Sequence, residues 1–249
     1  VLRTRRGEIL ARLDRLAEAE ADWRRALELD PGFSEASLRL SELLLSQGRE
    51  DAIAAYGAEI ARVSGSYDDS VRQAAEDSKK NGWIVVSDTS WPGYEEIPAW
   101  VKQGYTVIMG EAMEQLGEDR PSHLFAQAGV GGLACAAIGP VWQDWGAERP
   151  FCTVVEPHEA DCLYQSAVQG GMAQGLGSLN TVMACLSAGE ASPLAWAILE
   201  EGADAFITID DHFARDAMCT LADGNGNTPL VVGESGSAGL AGLMAVVED

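Results

Sequence analysis

The sequence predicts an α/β fold: an open, mostly parallel sheet flanked by helices and preceded by an all-α helical hairpin. Three observations predict it. Throughout residues 49–249, short β-rich apolar runs alternate with amphipathic stretches, the pattern of a parallel sheet with crossover helices. A glycine-rich turn, Gln127-Ala128-Gly129-Val130-Gly131-Gly132, joins one such run to a helical stretch. Residues 1–46 hold helical periodicity and no strand-like run.

The elements follow in order. Leu10, Leu13, Leu16 and Ala17 recur at helical spacing, as do Ala19, Trp23, Ala26 and Leu27. Asp30-Pro31-Gly32 interrupts the pattern, because proline cannot continue a helix. A second amphipathic run carries Ala36, Leu38, Leu40, Leu43 and Leu44. The order Ala19, Trp23, Ala26, Pro31 resembles half of a tetratricopeptide repeat, a helical pair of about 34 residues. Beyond Arg49 the reading is helix over 51–56, a short strand over 58–63, and helix over 67–81. Trp83-Ile84-Val85-Val86 is an apolar run of the kind buried in a parallel sheet. Helix is expected over 97–116, and strands over 123–126, 151–155 and 205–209, with a further strand at 229–232. Helices fill 132–145, 159–169, 181–187, 193–201 and 211–222.

Lys+Arg 17 against Asp+Glu 39 sets the net charge at −22. Binding to nucleic acid or to anionic lipid needs basic patches, so this balance argues against both. No apolar run approaches the ~20 residues of a membrane span, and without a charged-then-apolar opening pattern the expectation is that there is no signal peptide. The five cysteines (Cys135, Cys152, Cys162, Cys185, Cys219) lack CxxC spacing and read as buried small hydrophobes of a reduced, cytoplasmic protein. The three histidines are scattered, and nothing supports a metal site.

The chemistry sits at the glycine turn. A strand running into Gly129, Val130, Gly131 and Gly132, with a helix leaving it, converges backbone N–H groups and a helix dipole on an anion. Taken alone, the turn serves phosphate binding or tight packing equally well. It lacks the lysine of a nucleotide-hydrolase P-loop and the full order of a dinucleotide site.

Val86-Ser87-Asp88-Thr89-Ser90-Trp91-Pro92-Gly93-Tyr94-Glu95-Glu96-Ile97-Pro98 resembles a signature of the diaminopropionate ammonia-lyases. Val155-Glu156-Pro157 with Ala160-Asp161-Cys162, and Gly233-Glu234-Ser235-Gly236, resemble that family in the same order. The family belongs to the fold-type II (tryptophan synthase β-like) pyridoxal-phosphate enzymes. The resemblance implies pyridoxal 5'-phosphate as cofactor, a small amino acid as substrate, and elimination of both amino groups of 2,3-diaminopropionate to pyruvate and ammonia. It implies that Gly129, Val130, Gly131 and Gly132 hold the cofactor phosphate, that Asp88 is a general base, and that Glu234 and Ser235 face the cofactor ring. It also places Thr89 and Tyr94 at the substrate entrance. From the residues alone, Asp88 is as well read as an Asx-turn or helix cap, Tyr94 as packing, and Glu234-Ser235 as a glycine-bounded turn. Cys162 matches a family cysteine that pairs downstream, but the matching downstream position is Ala188.

The family's Schiff-base lysine precedes the region resembling Arg49, and none of Lys79, Lys80 and Lys102 matches it. The expectation is therefore an incomplete lyase domain over 49–249 behind a helical segment over 1–46, inactive by itself, and a homodimer for the complete enzyme. The alternative is a non-catalytic tetratricopeptide-type binding or assembly protein joined to a degenerate enzyme fragment.

Overall fold

The computed structural model describes residues 2–12, 15–29, 36, 39, 40 and 59–248. They fall into two compact units, Val1–Arg62 and Val63–Asp249.

In the first unit α1 (Leu2–Arg12) and α2 (Leu16–Leu29) pack together. Leu10, Ala19, Trp23 and Leu40 share their core. Gly7 makes room for the indole: a Cβ there would lie 2.4 Å from Trp23 Nε1. That nitrogen donates to the Thr4 carbonyl at 3.1 Å. Buried Asp22 pairs with Arg3 and Arg6. Most of the run expected at 36–44, and the helix expected at 51–56, lie outside the described residues.

The second unit opens with α3 (Tyr67–Asn81), which has the expected bounds. Its start is a capping box, in which the Ser66 hydroxyl accepts from Asp69 N and the Asp69 carboxylate accepts from Ser66 N. Gly82, in the left-handed region at φ 71, ends it. The long helix α4 (Glu96–Leu116) follows. Then come β1 (His123–Gln127), α5 (Gly132–Trp145), β2 (Phe151–Pro157), α6 (Cys162–Gln169), α7 (Pro193–Gly202), β3 (Ala205–Ile209), α8 (Asp211–Asp223) and α9 (Glu234–Glu248). The three strands are parallel, in the order β1-β2-β3. Alternate strand residues serve two cores. Ala126 and Val154 pack with Ile138, Trp196 and Leu199 from α5 and α7, while Val155 and Ile209 pack with Ala214, Ala217, Ala238 and Ala241 from α8 and α9. Helices on both faces are what a parallel sheet requires.

Several expectations need correcting. Residues 83–86 form no strand, and Trp83, Ile84 and Val86 are 61%, 79% and 76% exposed. Their β-rich character is real, but burial needs a neighbouring strand, and none pairs with them among the described residues. Residues 59–63 and 229–232 are also not strands, and Val231 is fully exposed. The helix expected from 159 starts at Cys162, since residues 158–160 form a turn, and the helix expected over 181–187 is a 3-10 turn at Ala184–Leu186. Helix α9 was not expected at all. Two of the five cysteines, Cys185 and Cys219, are exposed rather than buried, and all five are free.

Candidate active site

Strand β1 runs into the glycine loop at the carboxyl end of the sheet, where open α/β folds bind ligands. The loop is tied to the next strand by Ala128 N donating to Val155 O at 2.9 Å. Gly131 takes φ 94 as the N-cap of α5, which has no side-chain cap. Among the described residues, no hydrogen bond engages the N–H groups of Gly129, Val130, Gly131, Gly132, Leu133 or Ala134. Val130, Gly131, Gly132 and Ala134 are buried. Buried donors without partners are costly, and a helix start supplies four of them together with a positive dipole end. The absence of side chains is enforced. A Cβ on Gly129 would meet Cys185 O and Leu186 Cα at 3.2 Å, and one on Gly132 would lie 2.8 Å from Asp88 Oδ2.

A cleft of about 280 Å³ opens on this loop. Asp88, Gln127, the glycine loop, Cys185, Leu186, Ser235 and Gly236 line it. Of the residues singled out in the sequence, the fold thus brings together Asp88, Gly129, Val130, Gly131, Gly132 and Ser235. The first turn of α9 faces the cleft, and its Ser235 hydroxyl accepts from Cys185 N at 3.1 Å, fixing the opposite wall. Glu234 is exposed and does not line the cleft. Thr89 is buried, bonds the Tyr67 hydroxyl at 2.7 Å, and lines a separate cleft of about 390 Å³ with Asp68, Arg72 and Glu190. Tyr94 stacks on Trp91 with ring centroids 4.1 Å apart; its hydroxyl donates to Val85 O and accepts from Ser87 N. That arrangement pins the loop before Asp88.

Further residues complete the site that sequence reasoning did not single out. Ser192 N donates to Val130 O, and Ser192 Oγ bonds both Ser90 N (3.1 Å) and Ser90 Oγ (2.7 Å). Both serines are buried. They tie the Asp88 loop to the glycine loop across a sequence separation of 102 residues. Ser192-Pro193 signals a helix start in the sequence, but not this contact. Buried Lys102 donates through Nζ to Asp88 O, and the Tyr105 hydroxyl lies within reach of the Asp88 charge. Burial lowers the Lys102 pKa against the opposing pull of Cys135 and Asp88, and burial with the nearby Asp88 charge raises that of Tyr105.

Glu156, 1% exposed, projects from β2 beneath the start of α6 and accepts from Leu163 N at 2.9 Å and Tyr164 N at 2.6 Å. Cys162 Sγ lies 3.6 Å from the same carboxylate and 3.7 Å from Gly129 O, so the pair props the glycine loop from below. Desolvation pushes the Glu156 carboxyl up to about 8, although the two backbone donors pull it down. A carboxyl raised from 4.5 holds an extra proton in the folded state between those values. Its stabilising contribution is therefore full below about pH 4.5 and lost as pH rises through about 8. The melting temperature is expected to fall over that window, and Glu156→Gln to flatten the fall. An equally steep fall in the variant, followed by circular dichroism, would discard the assignment.

His123, His158 and His212 are exposed and lie apart from the cleft, as scattered surface residues do. The family model for pyridoxal-phosphate dependent enzymes matches residues 44–249. The chain belongs to the pyridoxal-phosphate-dependent enzyme family. Within this family it is 41% identical over 204 residues to the diaminopropionate ammonia-lyase of Escherichia coli strain K12, covering 81% of this chain and 51% of that protein. The Salmonella typhimurium LT2 diaminopropionate ammonia-lyase is 39% identical over 208 residues, covering 81% of this chain and 52% of that one. The crystal structure of the Escherichia coli lyase with an aminoacrylate-PLP azomethine reaction intermediate superposes with TM-score 0.73 at 40% identity, over 80% of this chain and 51% of that one. The processed form of threonine deaminase isoform 2 from Solanum lycopersicum shares the fold, at 23% identity and TM-score 0.66 over 81% of this chain and 55% of that one. The chain spans about half the length of the curated relatives it matches.

Proposed function

We propose that residues 49–249 carry one half of the active site of a carbon–nitrogen lyase that acts on 2,3-diaminopropionate with pyridoxal 5'-phosphate. The observation that carries this is the set of N–H groups at Gly129 to Ala134 without a partner among the described residues, in a loop where side chains do not fit and which faces Asp88. The residues fit a phosphate: donors, a helix start and enforced glycines meet at one point. The likeness to diaminopropionate ammonia-lyases supports the substrate. Gly129, Val130, Gly131 and Gly132 would hold the cofactor phosphate. When bound, the cofactor supplies the electron sink for the carbanion left by α-proton removal. Asp88 would receive that proton at its carboxylate, its backbone held by Lys102. Ser235 would hold the facing wall, Glu234 would stand at its rim, and Thr89 and Tyr94 would shape the loop by which an amino acid enters. The start of the family match at residue 44 supports a boundary between this domain and a helical segment over 1–46. We read α1 and α2 as a tetratricopeptide-like pair, on the strength of Trp23 seated over Gly7. The complete enzyme is expected to be a cytoplasmic homodimer. Among the described residues, no helix is long and apolar enough to cross a membrane.

The test is titration of the purified chain with pyridoxal 5'-phosphate, followed by absorbance and tryptophan fluorescence. Saturable binding competed by inorganic phosphate is expected, without pyruvate release from 2,3-diaminopropionate, because none of the three lysines stands where the family's lysine does. Binding indifferent to phosphate would refute the loop's role.

A further inference from the structure

A third cleft, of about 720 Å³, lies between α4, α5 and α7 and shares no lining residue with the glycine-loop cleft. Its walls are mostly apolar: Ala99, Ala136, Pro140, Trp142, Leu194 and Ile198. Lys102 also lines it, and is its one basic side chain among the described residues. A lysine that is only 6% exposed is unusual, since an ammonium is expensive to take out of water. Its counter-charges are incomplete. Nζ donates to a backbone carbonyl, that of Asp88, rather than to a carboxylate. The charged or titratable groups acting on it are Cys135, whose thiol burial raises to about 11, and Asp88. Burial moves the amine toward its neutral form, and a neutral amine bonded through one N–H to a carbonyl keeps its lone pair.

We propose that Lys102 is a nucleophilic amine in the wall of this cleft and takes a small aromatic aldehyde there as a Schiff base. The apolar walls with Pro140 and Trp142 suit an aromatic ring, and an aldehyde is the carbonyl with least hindrance to a buried amine. The amine nitrogen attacks the carbonyl carbon, forming the C–N bond as the C=O π pair moves to oxygen. A proton passes from nitrogen to that oxygen, and a second proton from solvent lets it depart as water. The nitrogen lone pair closes the C=N bond, leaving a protonated imine with no change in oxidation state. Lys102 does not line the glycine-loop cleft, although its bond to Asp88 O reaches a residue that does.

The experiment treats the purified chain with salicylaldehyde and cyanoborohydride at about pH 7, where free lysines are protonated, and maps the reduced adducts by peptide mass spectrometry. Exposed Lys79 and Lys80 are internal references. Lys102 is expected to be modified at least about tenfold faster than either, as for a desolvated amine beside a pocket. Gly139 lines the cleft, and a Cβ there meets only Ile198 Cγ2 at 3.9 Å, so Gly139→Leu fills the space. It should bring the Lys102 rate to that of the references or below, while leaving Lys79 and Lys80 unchanged. A Lys102 rate no higher than theirs in the unaltered chain overturns the proposal, whether or not the glycine loop binds phosphate. So does a folded Gly139→Leu chain that still modifies Lys102 at the original rate.

Discussion

Gly131→Ala is expected to abolish phosphate and pyridoxal 5'-phosphate binding and to destabilise the fold by about 2–5 kcal/mol, the sum of a strained backbone and an overpacked core. Gly131 adopts φ 94, which L residues rarely take. The added methyl would sit 3.0 Å from Ala195 Cβ and from Leu199 Cδ1, and 3.3 Å from Leu163 Cδ1. Two of these atoms belong to α7 and one to α6, elements of the core, so the methyl cannot be relieved by moving an exposed side chain. The loop must rotate instead, and the N–H groups then no longer converge. Denaturation midpoints give the stability term, and titration at low temperature, where the variant remains folded, gives the binding term. Gly139→Ala is the control, since its methyl has ordinary contact and a helical backbone. It should keep full binding. Unchanged phosphate affinity in folded Gly131→Ala would show that the loop does not hold the anion.

Asp88→Asn has effects of opposite sign on binding and on chemistry. Asp88 Oδ2 lies 2.8 Å from where a Gly132 Cβ would be, so the carboxylate faces the loop that receives a phosphate. Two anions in such proximity repel by several kcal/mol at an effective dielectric of about 20, and half-exposure reduces this. The amide keeps the shape of the carboxylate. Inorganic phosphate should therefore bind about tenfold tighter, or roughly 1.4 kcal/mol, with the gain shrinking as salt is added. In a polypeptide that also supplies the family's lysine, the same change removes the group proposed to take the α-proton, and turnover should fall by about 10²–10⁴-fold. Weaker phosphate binding in Asp88→Asn would contradict the electrostatic argument. Intact turnover would remove Asp88 from the proposed chemistry.

Much of the fold is legible in the sequence wherever local chemistry and tertiary environment agree. The helix over 67–81 has its capping box and closing glycine written into Ser66, Asp69 and Gly82. The strands at 123, 151 and 205 are short apolar runs that pair in a parallel sheet, the middle one buried and the outer two mostly half-buried. Residues 83–86 carry the same signal and stay exposed, because an apolar pattern records a tendency to be covered without naming the cover. Helix α9 failed in the opposite direction. Gly236, Gly239 and Gly242 lower its helix propensity and make it read as loop. In the fold, a Cβ on Gly239 would meet Phe125 O at 2.8 Å and one on Gly242 would meet Val155 Cγ2 at 2.6 Å. The glycines are there so that the helix can lie directly on β1 and β2.

The candidate site divides along the same line. The glycine loop and its place between strand and helix follow from residues adjacent in the chain, and local sequence suffices to predict them. The sequence also carries the likeness that selects Asp88, Glu156 and Ser235. Which of these share a cleft is a different matter. Asp88 comes to Gly132, Ser235 to Cys185, and Ser90 to Ser192 only through the packing of distant elements, while Thr89, beside Asp88, is turned to another cleft. The burial of Lys102 likewise belongs to the tertiary structure, since nothing in a helical stretch shows what will be packed against it. Contact order and desolvation are properties of the folded chain, and they decide which side chains can act together.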